Sequence, residues 1–207
     1  MNVVVIDYGM GNLASVGHAL EECGARVTIS EQIEALKTAT HVVLPGVGAF
    51  REGMTRLHRA GWVEALREVV AQGIPTLGIC LGMQLFAELG EEGGHTPGLG
   101  LIAGEVKRLE PLSGERIPHI GWNEVNGEAT EPLFDGIKPG TDFYFVHSFH
   151  LCPTELRQIA ATSPYCKTFV SAVRSGSLAG VQFHPEKSGR AGLRLLRNFL
   201  NGPSASC

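Results

Sequence analysis

A glycine-flanked cysteine is the most reactive feature of the sequence. Cys80 lies in Gly78-Ile79-Cys80-Leu81-Gly82, between an apolar run at 75–79 that predicts a buried strand and a run at 81–89 that predicts a helix. A sharp strand-to-helix turn pushes its central side chain out of the sheet, and flanking glycines leave room for the close packing. Unpaired amide hydrogens at the helix start favour negative charge, so we expect Cys80 to act as a nucleophilic thiolate. The alternative is a small core cysteine between two packing glycines.

His184 and Glu186 could supply the base that such a cysteine needs. They lie two residues apart in His184-Pro185-Glu186, after an apolar run that predicts a strand over residues 178–183. Alternate residues of a strand share a face, so the carboxylate could fix the imidazole tautomer and stabilise its protonated form. The alternative for these two residues is a surface pair at a turn. Combined with Cys80, they predict a thiol–imidazole–carboxylate triad.

Acyl transfer by a triad also needs hydrogen-bond donors for a negatively charged oxygen. The glycine turn Pro45-Gly46-Val47-Gly48 follows an apolar strand predicted at 41–44 and precedes a helix. Its backbone amides would converge at the sheet edge that carries Cys80. Taken alone, this run would be an ordinary strand-to-helix turn, but three strand ends now indicate the same chemistry.

The N-terminal turn, residues 9–14, matches G-x-G-x-x-A, a fingerprint of dinucleotide binding. It follows a strand predicted at 3–6, and Glu31 lies near the end of the next strand, as that fingerprint requires. Binding of NAD would leave the cysteine turn without a use. We therefore expect residues 9–14 to form the first turn of the sheet.

Composition indicates one globular domain. The chain has 207 residues, 43% hydrophobic and 18% charged, and we expect a single domain over residues 1–201 with a disordered tail at 202–207. The net charge of -4 argues against binding of nucleic acid through a basic surface. The N-terminal apolar run is short and is interrupted by Asp7, which predicts neither a signal peptide nor a membrane span. We expect a cytoplasmic protein without membrane contact.

Cysteine spacing argues against a disulfide framework and against a zinc site. The five cysteines are scattered and include no C-x-x-C pair: Cys23, Cys80, Cys152, Cys166 and Cys207. We expect no metal and no cofactor.

The predicted elements give an α/β fold. The first half alternates strands (3–6, 26–29, 41–44, 75–79) with helices (from Asn12 to Gly24, 62–72, 81–89). This alternation predicts a mostly parallel sheet with helices on both faces. The second half has short β-rich runs that predict antiparallel strands, and a final helix (106–109, 143–146, 168–173, 178–183; helix 190–200).

Residues 78–84 together with His184-Pro185-Glu186 resemble the class I (triad) glutamine amidotransferases, over nearly the whole chain. The resemblance implies a flavodoxin-like α/β fold. Three further stretches resemble one branch of that family, the glutaminase subunit of imidazole glycerol phosphate synthase in histidine biosynthesis. They are Asp7-Tyr8-Gly9-Met10-Gly11-Asn12, Pro45-Gly46-Val47-Gly48-Ala49-Phe50 and Pro118-His119-Ile120-Gly121-Trp122-Asn123.

The resemblance implies a glutaminase. Cys80 would attack the side-chain amide of glutamine and form a γ-glutamyl thioester, with His184 as acid and base and Glu186 orienting it. The backbone amides of Gly48 and Leu81 would hold the oxyanion. The residues implied around the substrate are Gly46, Gln84, Glu92, His147, Ser148 and Phe149. Phe149 stands where the family pattern has tyrosine, which removes a hydroxyl and leaves a backbone contact.

The resemblance also implies a partner. Free ammonia becomes non-nucleophilic ammonium in neutral water, so a second active site should receive it directly. The implied partner is a (β/α)8-barrel cyclase that makes imidazole glycerol phosphate and aminoimidazole carboxamide ribonucleotide. The residues expected near that interface are Asn12, Trp122, Tyr144 and Lys187.

Three other hypotheses stay open on the sequence. A glutaminase of anthranilate, GMP or pyridoxal phosphate synthesis would share the triad but should lack the stretch 118–123. A cysteine hydrolase on a related fold would act without a partner. A noncatalytic binding module would leave Cys80 unreactive.

Overall fold

The computed structural model describes residues 1–127 and 130–202. The predicted disordered tail lies outside these residues except for Gly202. The strands are β1 (Asn2–Ile6), β2 (Arg26–Ser30), β3 (His41–Gly46), β4 (Thr76–Cys80), β5 (Leu89–Gly90), β6 (Thr96–Pro97), β7 (Gly104–Arg108), β8 (His119–Gly127), β9 (Thr141–His147), β10 (Phe149–Pro153), β11 (Ile159–Ser163), β12 (Phe169–Ser175) and β13 (Leu178–Val181). The helices are α1 (Leu13–Glu22), α2 (Phe50–Arg59), α3 (Trp62–Ala71), α4 (Leu81–Gln84) and α5 (Gly189–Asn201), with 3₁₀ turns at Ile33–Thr38, Pro132–Phe134, Leu156–Gln158 and Pro185–Lys187.

A nine-stranded sheet runs through the molecule in the order β2-β1-β3-β4-β13-β12-β11-β8-β9. The first five strands are parallel neighbours, and the last four join as antiparallel neighbours. The parallel part has the doubly wound order in which ligands bind beyond the carboxyl ends of the strands. The predicted α/β fold with added antiparallel strands is confirmed.

Helices cover both faces of this sheet, and each face has its own hydrophobic core. One core includes Leu20 of α1 and Leu195 of α5, and the other includes Phe50 of α2 and Trp62 of α3. Both neighbouring strands β3 and β4 are buried along their whole length. That burial explains why they are continuous apolar runs rather than alternating ones.

The predicted start and end of α1 are confirmed. Asn12 caps the helix, since its side-chain oxygen accepts a hydrogen bond from the backbone N–H of Ser15 at 3.4 Å. The chain leaves the helix at Gly24, whose φ of 90° lies in the left-handed region that glycine adopts without strain.

The predicted helix over residues 81–89 is wrong beyond its first turn. α4 ends at Gln84, because the carbonyl oxygens of residues 85–87 accept hydrogen bonds from the amides of residues 99–102 instead of continuing a helix. The chain then enters a second sheet of order β10-β7-β5-β6.

Within the described residues, the helices are all too short or too polar to cross a bilayer.

Candidate active site

The turn that carries Cys80 is strained. Cys80 has φ 54° and ψ -109°, a conformation that L residues rarely adopt, and it immediately precedes α4. A side chain at Gly82 would collide with the carbonyl oxygen of Leu44, and one at Gly78 would lie 2.7 Å from the amide nitrogen of Met83. Both glycines are therefore required for α4 to pack closely on the sheet, as the spacing of the sequence predicts.

Cys80 lies on the wall of a cavity at the carboxyl ends of β3 and β4. We call this space the thiol cavity; its volume is about 470 Å³, within the range of small-molecule sites. The Cys80 side chain is nearly buried, with 6% of the residue exposed. The lining residues are Val47, Gly48, Ala49, Cys80, Leu81, Gln84, Glu92, Pro118, Val146, His147, Ser148 and Phe149.

His184 and Glu186 form the ion pair that the sequence predicts, but by a different geometry. Nδ1 of His184 lies 2.8 Å from Oε1 of Glu186, and both side chains are almost completely buried. The predicted strand over residues 178–183 is wrong at its end, because β13 stops at Val181. Pro185 begins a 3₁₀ turn, so the turn rather than strand alternation brings the two side chains together.

The surroundings of His184 favour its protonated form. Burial alone lowers the pKa of this imidazole, but its interactions with Cys80 and Glu186 outweigh burial and raise the pKa to about 9. Because Nδ1 binds Glu186, Nε2 is the nitrogen left for Cys80. Within the described residues Nε2 has no aligned hydrogen bond, and catalytic hydrogen bonds commonly align only when substrate is bound.

Backbone contacts tie His184 to strand β9. Its amide donates to the carbonyl oxygen of Tyr144 at 2.9 Å. The Ser188 hydroxyl donates to the His184 carbonyl at 2.6 Å and accepts from the Tyr144 amide at 3.0 Å. We call this set of three hydrogen bonds the Ser188 clasp. It holds the backbone of His184 at a defined distance from β9.

The residues predicted to hold an oxyanion lie at the thiol cavity. Gly48 and Leu81 both line it, and Gly48 has φ 112°, where a larger residue would be strained. Gly46, which was predicted to contact substrate, pairs with Cys80 in the β3–β4 register but is not among the lining residues in the described chain. A side chain at Gly46 would overlap the Tyr8 hydroxyl, so close packing explains this glycine.

Apart from Gly46, the residues predicted to bind substrate line the same cavity. Glu92 supplies the only carboxylate among the described lining residues, and its Oε2 accepts from the amide of Phe50 at 2.7 Å, at the start of α2. Gln84 donates through Nε2 to the carbonyl oxygen of Phe149 at 2.8 Å. The structure thus brings Gln84, Glu92 and the segment 147–149 together around the cavity.

Gln182 is a site residue that the sequence reasoning missed. Its Oε1 accepts from Gln84 Nε2 at 3.0 Å, and its own Nε2 lies 3.6 Å from the Cys80 sulfur. It is fully buried. A glutamine in an apolar strand, two residues before the predicted base, was the available signal.

The four residues predicted near a partner interface lie outside the thiol cavity. Trp122 is 58% exposed and packs edge-on against Tyr144, and the Lys187 amine lies 5.6 Å from the centre of the Tyr144 ring. Asn12 is exposed at the start of α1. Trp122 and Tyr144 face each other across β8 and β9, next to the exposed Ile120. We call Ile120, Trp122 and Tyr144, together with the adjacent Lys187, the outer face of the β8–β9 ribbon.

The described residues include no cluster of His, Cys, Asp and Glu that could hold a metal ion. The four described cysteines, Cys23, Cys80, Cys152 and Cys166, are free thiols.

The arrangement suits nucleophilic acyl chemistry. A thiol on a strained turn, an imidazole paired with a buried carboxylate, and backbone amides at a glycine turn meet at the carboxyl end of one sheet. Such groups can attack a carbonyl carbon, stabilise the resulting oxyanion and protonate a leaving group. The cavity is large enough for a small polar substrate beside the thiol.

Comparison with known proteins agrees with this chemistry. Residues 4–202 match the family Glutamine amidotransferase class-I. The "Imidazole glycerol phosphate synthase subunit HisH" of Moorella thermoacetica is 49% identical over 197 residues, which cover 95% of this chain and 93% of that protein. The protein of the same name from Dehalococcoides mccartyi is 45% identical over 198 residues, 96% of each chain.

Solved structures share the fold. One is a crystal structure of a glutamine amidotransferase, with a TM-score of 0.74 and 20% identity over 95% of this chain and 96% of that one. Another is PurLQS from Thermotoga maritima, with a TM-score of 0.71 and 18% identity over 97% of both chains. The family match and the HisH relatives confirm the predicted family and branch. The chain belongs to the class-I glutamine amidotransferase family and, within it, groups with the HisH subunits of imidazole glycerol phosphate synthase.

Proposed function

We propose that this chain hydrolyses glutamine as the glutaminase subunit of an imidazole glycerol phosphate synthase in histidine biosynthesis, and that it transfers the ammonia to a cyclase subunit. The observation that carries the proposal is the strained Cys80 at the thiol cavity, backed by the buried His184–Glu186 pair. Relatives at 45–49% identity over almost the whole chain carry that synthase's name.

The proposed reaction starts at the Cys80 sulfur. Its thiolate attacks the side-chain amide carbon of glutamine, and the backbone amides of Leu81 and Gly48 hold the oxyanion. The protonated His184 gives its Nε2 proton to the leaving nitrogen, the C–N bond breaks, and ammonia departs. A γ-glutamyl thioester remains on Cys80.

Hydrolysis of the thioester restores the enzyme. Neutral His184 takes a proton from water, the water oxygen attacks the thioester carbon, and the C–S bond breaks to release glutamate. Glu186 accepts a hydrogen bond from Nδ1–H of His184 and so holds the neutral imidazole in its Nδ1–H tautomer, which leaves Nε2 free to take the proton. The raised pKa of His184 suits the first step, in which the imidazolium is the acid.

Substrate recognition is proposed for the cavity walls. The Glu92 carboxylate lies at the side of the cavity near the start of α2 and would pair with the α-ammonium of glutamine. Backbone groups of Ser148 and Phe149 would contact the α-carboxylate, and Gln84 would contact a substrate N–H group. Gly46 acts by packing beneath Leu81 rather than by contact with substrate.

A cyclase subunit is the proposed partner, with a (β/α)8-barrel fold. The relatives are named as subunits of a synthase, which implies a second subunit. The outer face of the β8–β9 ribbon presents Ile120 and Trp122 at 60% and 58% exposure, and exposed apolar patches with aromatic residues mark protein interfaces. Asn12 and Lys187 would add polar contacts at its edge. The proposal places the chain in the cytoplasm, where free thiols persist.

The test is glutamate release from glutamine in three samples: the chain alone, the chain with cyclase subunit, and the complex with the cyclase's nucleotide substrate. We expect strong stimulation in the third sample and its complete loss in Cys80→Ala. A glutamine-mimicking alkylator should label Cys80 and leave Cys23, Cys152 and Cys166 unlabelled in the same digest.

Each of the other hypotheses predicts a different result. Glutamate release that no cyclase stimulates would favour a partner-independent hydrolase. Stimulation by a different synthase subunit would assign the chain to another branch of the family. Absence of both glutamate and labelling at Cys80 would overturn the proposal in favour of a binding module.

A further inference from the structure

A continuous chain of hydrogen bonds runs from strand β8 to the thiol cavity. The Asn123 side chain lies 3.3 Å from His119 Nε2, and His119 Nδ1 lies 3.0 Å from His147 Nε2. His147 Nδ1 lies 2.9 Å from the carbonyl oxygen of Phe149, which also accepts from Gln84. We call Asn123, His119 and His147 the imidazole relay.

The groups at both ends of the imidazole relay impose the same direction of hydrogen-bond donation along it. At one end the Asn123 amide donates to the carbonyl of Pro164 at 2.8 Å, and its oxygen accepts from the Glu124 amide at 2.9 Å. Its nitrogen must therefore donate to His119 Nε2. At the other end the Phe149 carbonyl can only accept, so His147 Nδ1 must carry the proton. His119 Nδ1–H then donates to His147 Nε2, and no tautomer conflicts.

The two imidazoles stay neutral, as this relay requires. Burial lowers the pKa of His119 to about 4. Burial also lowers the pKa of His147, and the neighbouring histidines lower it further, to about 3. His119 is also held in place by stacking, with ring centres 4.0 Å from Tyr165 and 5.0 Å from Phe145. The neutral His119 imidazole, packed between these two rings, therefore has one orientation in which its Nδ1–H can donate.

The relay ends at the Phe149 carbonyl, and this acceptor determines which atom of Gln84 faces the thiol cavity. Gln84 donates through Nε2 to the Phe149 carbonyl and to Gln182, so its oxygen is left as an acceptor at the cavity wall. Gln182 in turn has only its amide nitrogen left for the Cys80 sulfur, at 3.6 Å. If His147 lost its Nδ1 proton, its lone pair would repel the Phe149 carbonyl and this order would fail.

We propose that Asn123 and His119 are positioning residues of the active site, which hold His147 in its Nδ1–H form and so present the Gln84 oxygen to an N–H group of the substrate. This inference rests on the proposed function, because it deepens the recognition of glutamine. Asn123 and His119 both belong to β8 and do not line the thiol cavity, so they would act on the substrate only through His147.

The experiment uses the complex with the cyclase subunit and two replacements of His119. His119→Phe keeps a ring between Tyr165 and Phe145 but removes both nitrogens, whereas His119→Asn keeps an amide donor near the position of Nδ1. We expect the KM for glutamine to rise about tenfold in His119→Phe, as for loss of one hydrogen bond, with kcat changed by less than about threefold. His119→Asn should recover most of the loss.

A matched control separates this effect from loss of any buried histidine. His41 is as buried as His119 but lies at the start of β3, at the opposite end of the sheet from the thiol cavity. His41→Phe should leave the KM unchanged. An equal rise of KM in both variants, or an unchanged KM in His119→Phe, would overturn the proposal.

A spectroscopic measurement tests the relay without any activity. In the full chain labelled with ¹⁵N-histidine, the His147 resonances, assigned from their loss in His147→Asn, should show a protonated Nδ1 and an unprotonated Nε2 at pH 7. A protonated Nε2 would contradict the relay even if glutamine is hydrolysed. If the wild-type complex releases no glutamate, the proposed function fails, and the His147 tautomer still decides whether the relay exists.

Discussion

At the scale of single residues, space around the nucleophile is as restrictive as chemistry. Gly82 has no room for a side chain, because a Cβ would overlap the carbonyl oxygen of Leu44. The strain at Cys80 is held by this close contact between α4 and β3. A substitution at Gly82 therefore changes the position of the thiol without changing any reacting atom.

We predict that Gly82→Ala lowers the free energy of unfolding by about 1–3 kcal/mol and abolishes glutamate release. The matched control is Gly17→Ala, another helical glycine, whose Cβ would lie in ordinary contact at 3.5 Å from Ile29. That change should stabilise the protein by about 0.5–1 kcal/mol, because alanine favours a helix interior. Urea denaturation measures both, and similar values for the two variants would contradict the packing argument.

The raised pKa of His184 predicts a dependence of stability on pH. The folded value of about 9 exceeds the ordinary value of roughly 6.5, so the folded protein holds a proton that the unfolded chain has lost between these pH values. This stabilisation is complete below pH of about 6.5 and disappears as the pH rises to about 9, with a slope of at most about 1.4 kcal/mol per unit.

The measurement compares the free energy of unfolding of the wild type and of His184→Gln across this pH range. The difference between the two should shrink as the pH rises. A difference that stays constant from pH 6 to 9 would show that Cys80 and Glu186 do not raise the pKa of His184.

The residue types at the site and the His184–Glu186 pair could be predicted from the sequence, but the other hydrogen bonds of the site could not. Cys80, His184 and Glu186 are recognisable because turn glycines and a proline mark strand ends. Gln182 was missed, since a single glutamine in an apolar run gives no signal of its partner. That partner, Gln84, is 98 residues away in the chain. His119 was noted only as part of a family stretch, because its role depends on His147.

At the scale of elements, the outer face of the β8–β9 ribbon is the clearest candidate for a surface that binds a partner. Trp122 is well exposed and packs against Tyr144, so its indole is available without unfolding any element. Large aromatic side chains commonly contribute most of an interface's affinity. The face lies on the strands whose other side carries His119 and His147.

We predict that Trp122→Ala weakens binding of the cyclase subunit at least tenfold, about 1.4 kcal/mol, while the melting temperature stays nearly unchanged. Isothermal titration gives the affinity. The control is Leu156→Ala, which removes a side chain that is 82% exposed in a 3₁₀ turn outside this face. Equal weakening by both variants would exclude the outer face as a specific docking surface.

The Ser188 clasp gives a second prediction for an element. Ser188→Ala removes both hydrogen bonds of its hydroxyl, and the Tyr144 amide loses its partner. We expect the free energy of unfolding to fall by about 1–3 kcal/mol. We also expect a reduced kcat, because the backbone of His184 is then held less firmly. Ser113→Ala, at an exposed loop position, should change neither quantity. A normal kcat in Ser188→Ala would show that the imidazole keeps its place without the clasp.

Most strands and helices of the parallel half were predictable, whereas those of the antiparallel half were only partly so. Apolar runs such as β3 and β4 are unmistakable because both faces are covered. β8 escaped prediction because it contains glycine and asparagine and exposes one face to the outside. The helix predicted at 81–89 failed because tertiary hydrogen bonds to residues 99–102 override its local preference.

At the scale of the whole molecule, one sheet joins distant parts of the chain. β2 and β9 form its two margins, and β13 is inserted between β4 and β12. The candidate active site depends on this insertion, because β4 ends at Cys80 and β13 leads to His184. Folding of the C-terminal segment therefore completes a site whose nucleophile belongs to the first half.

We predict a single cooperative unfolding transition for residues 1–201. Since β13 pairs with both halves and α5 packs on α1, neither half retains its core alone. Calorimetry should give equal calorimetric and van't Hoff enthalpies. Two resolved transitions would contradict a single domain.

The contacts between β9 and the segment 184–188 have a consequence for association. An edge strand with unpaired N–H and C=O groups is a template on which another chain can add a strand, and proteins commonly protect such edges. At Tyr144 both the N–H and the C=O are already engaged by Ser188 and His184. A strand from another polypeptide therefore cannot pair with the backbone of Tyr144, and a partner that binds at this position must do so through side chains, which discriminate between partners better than a backbone can.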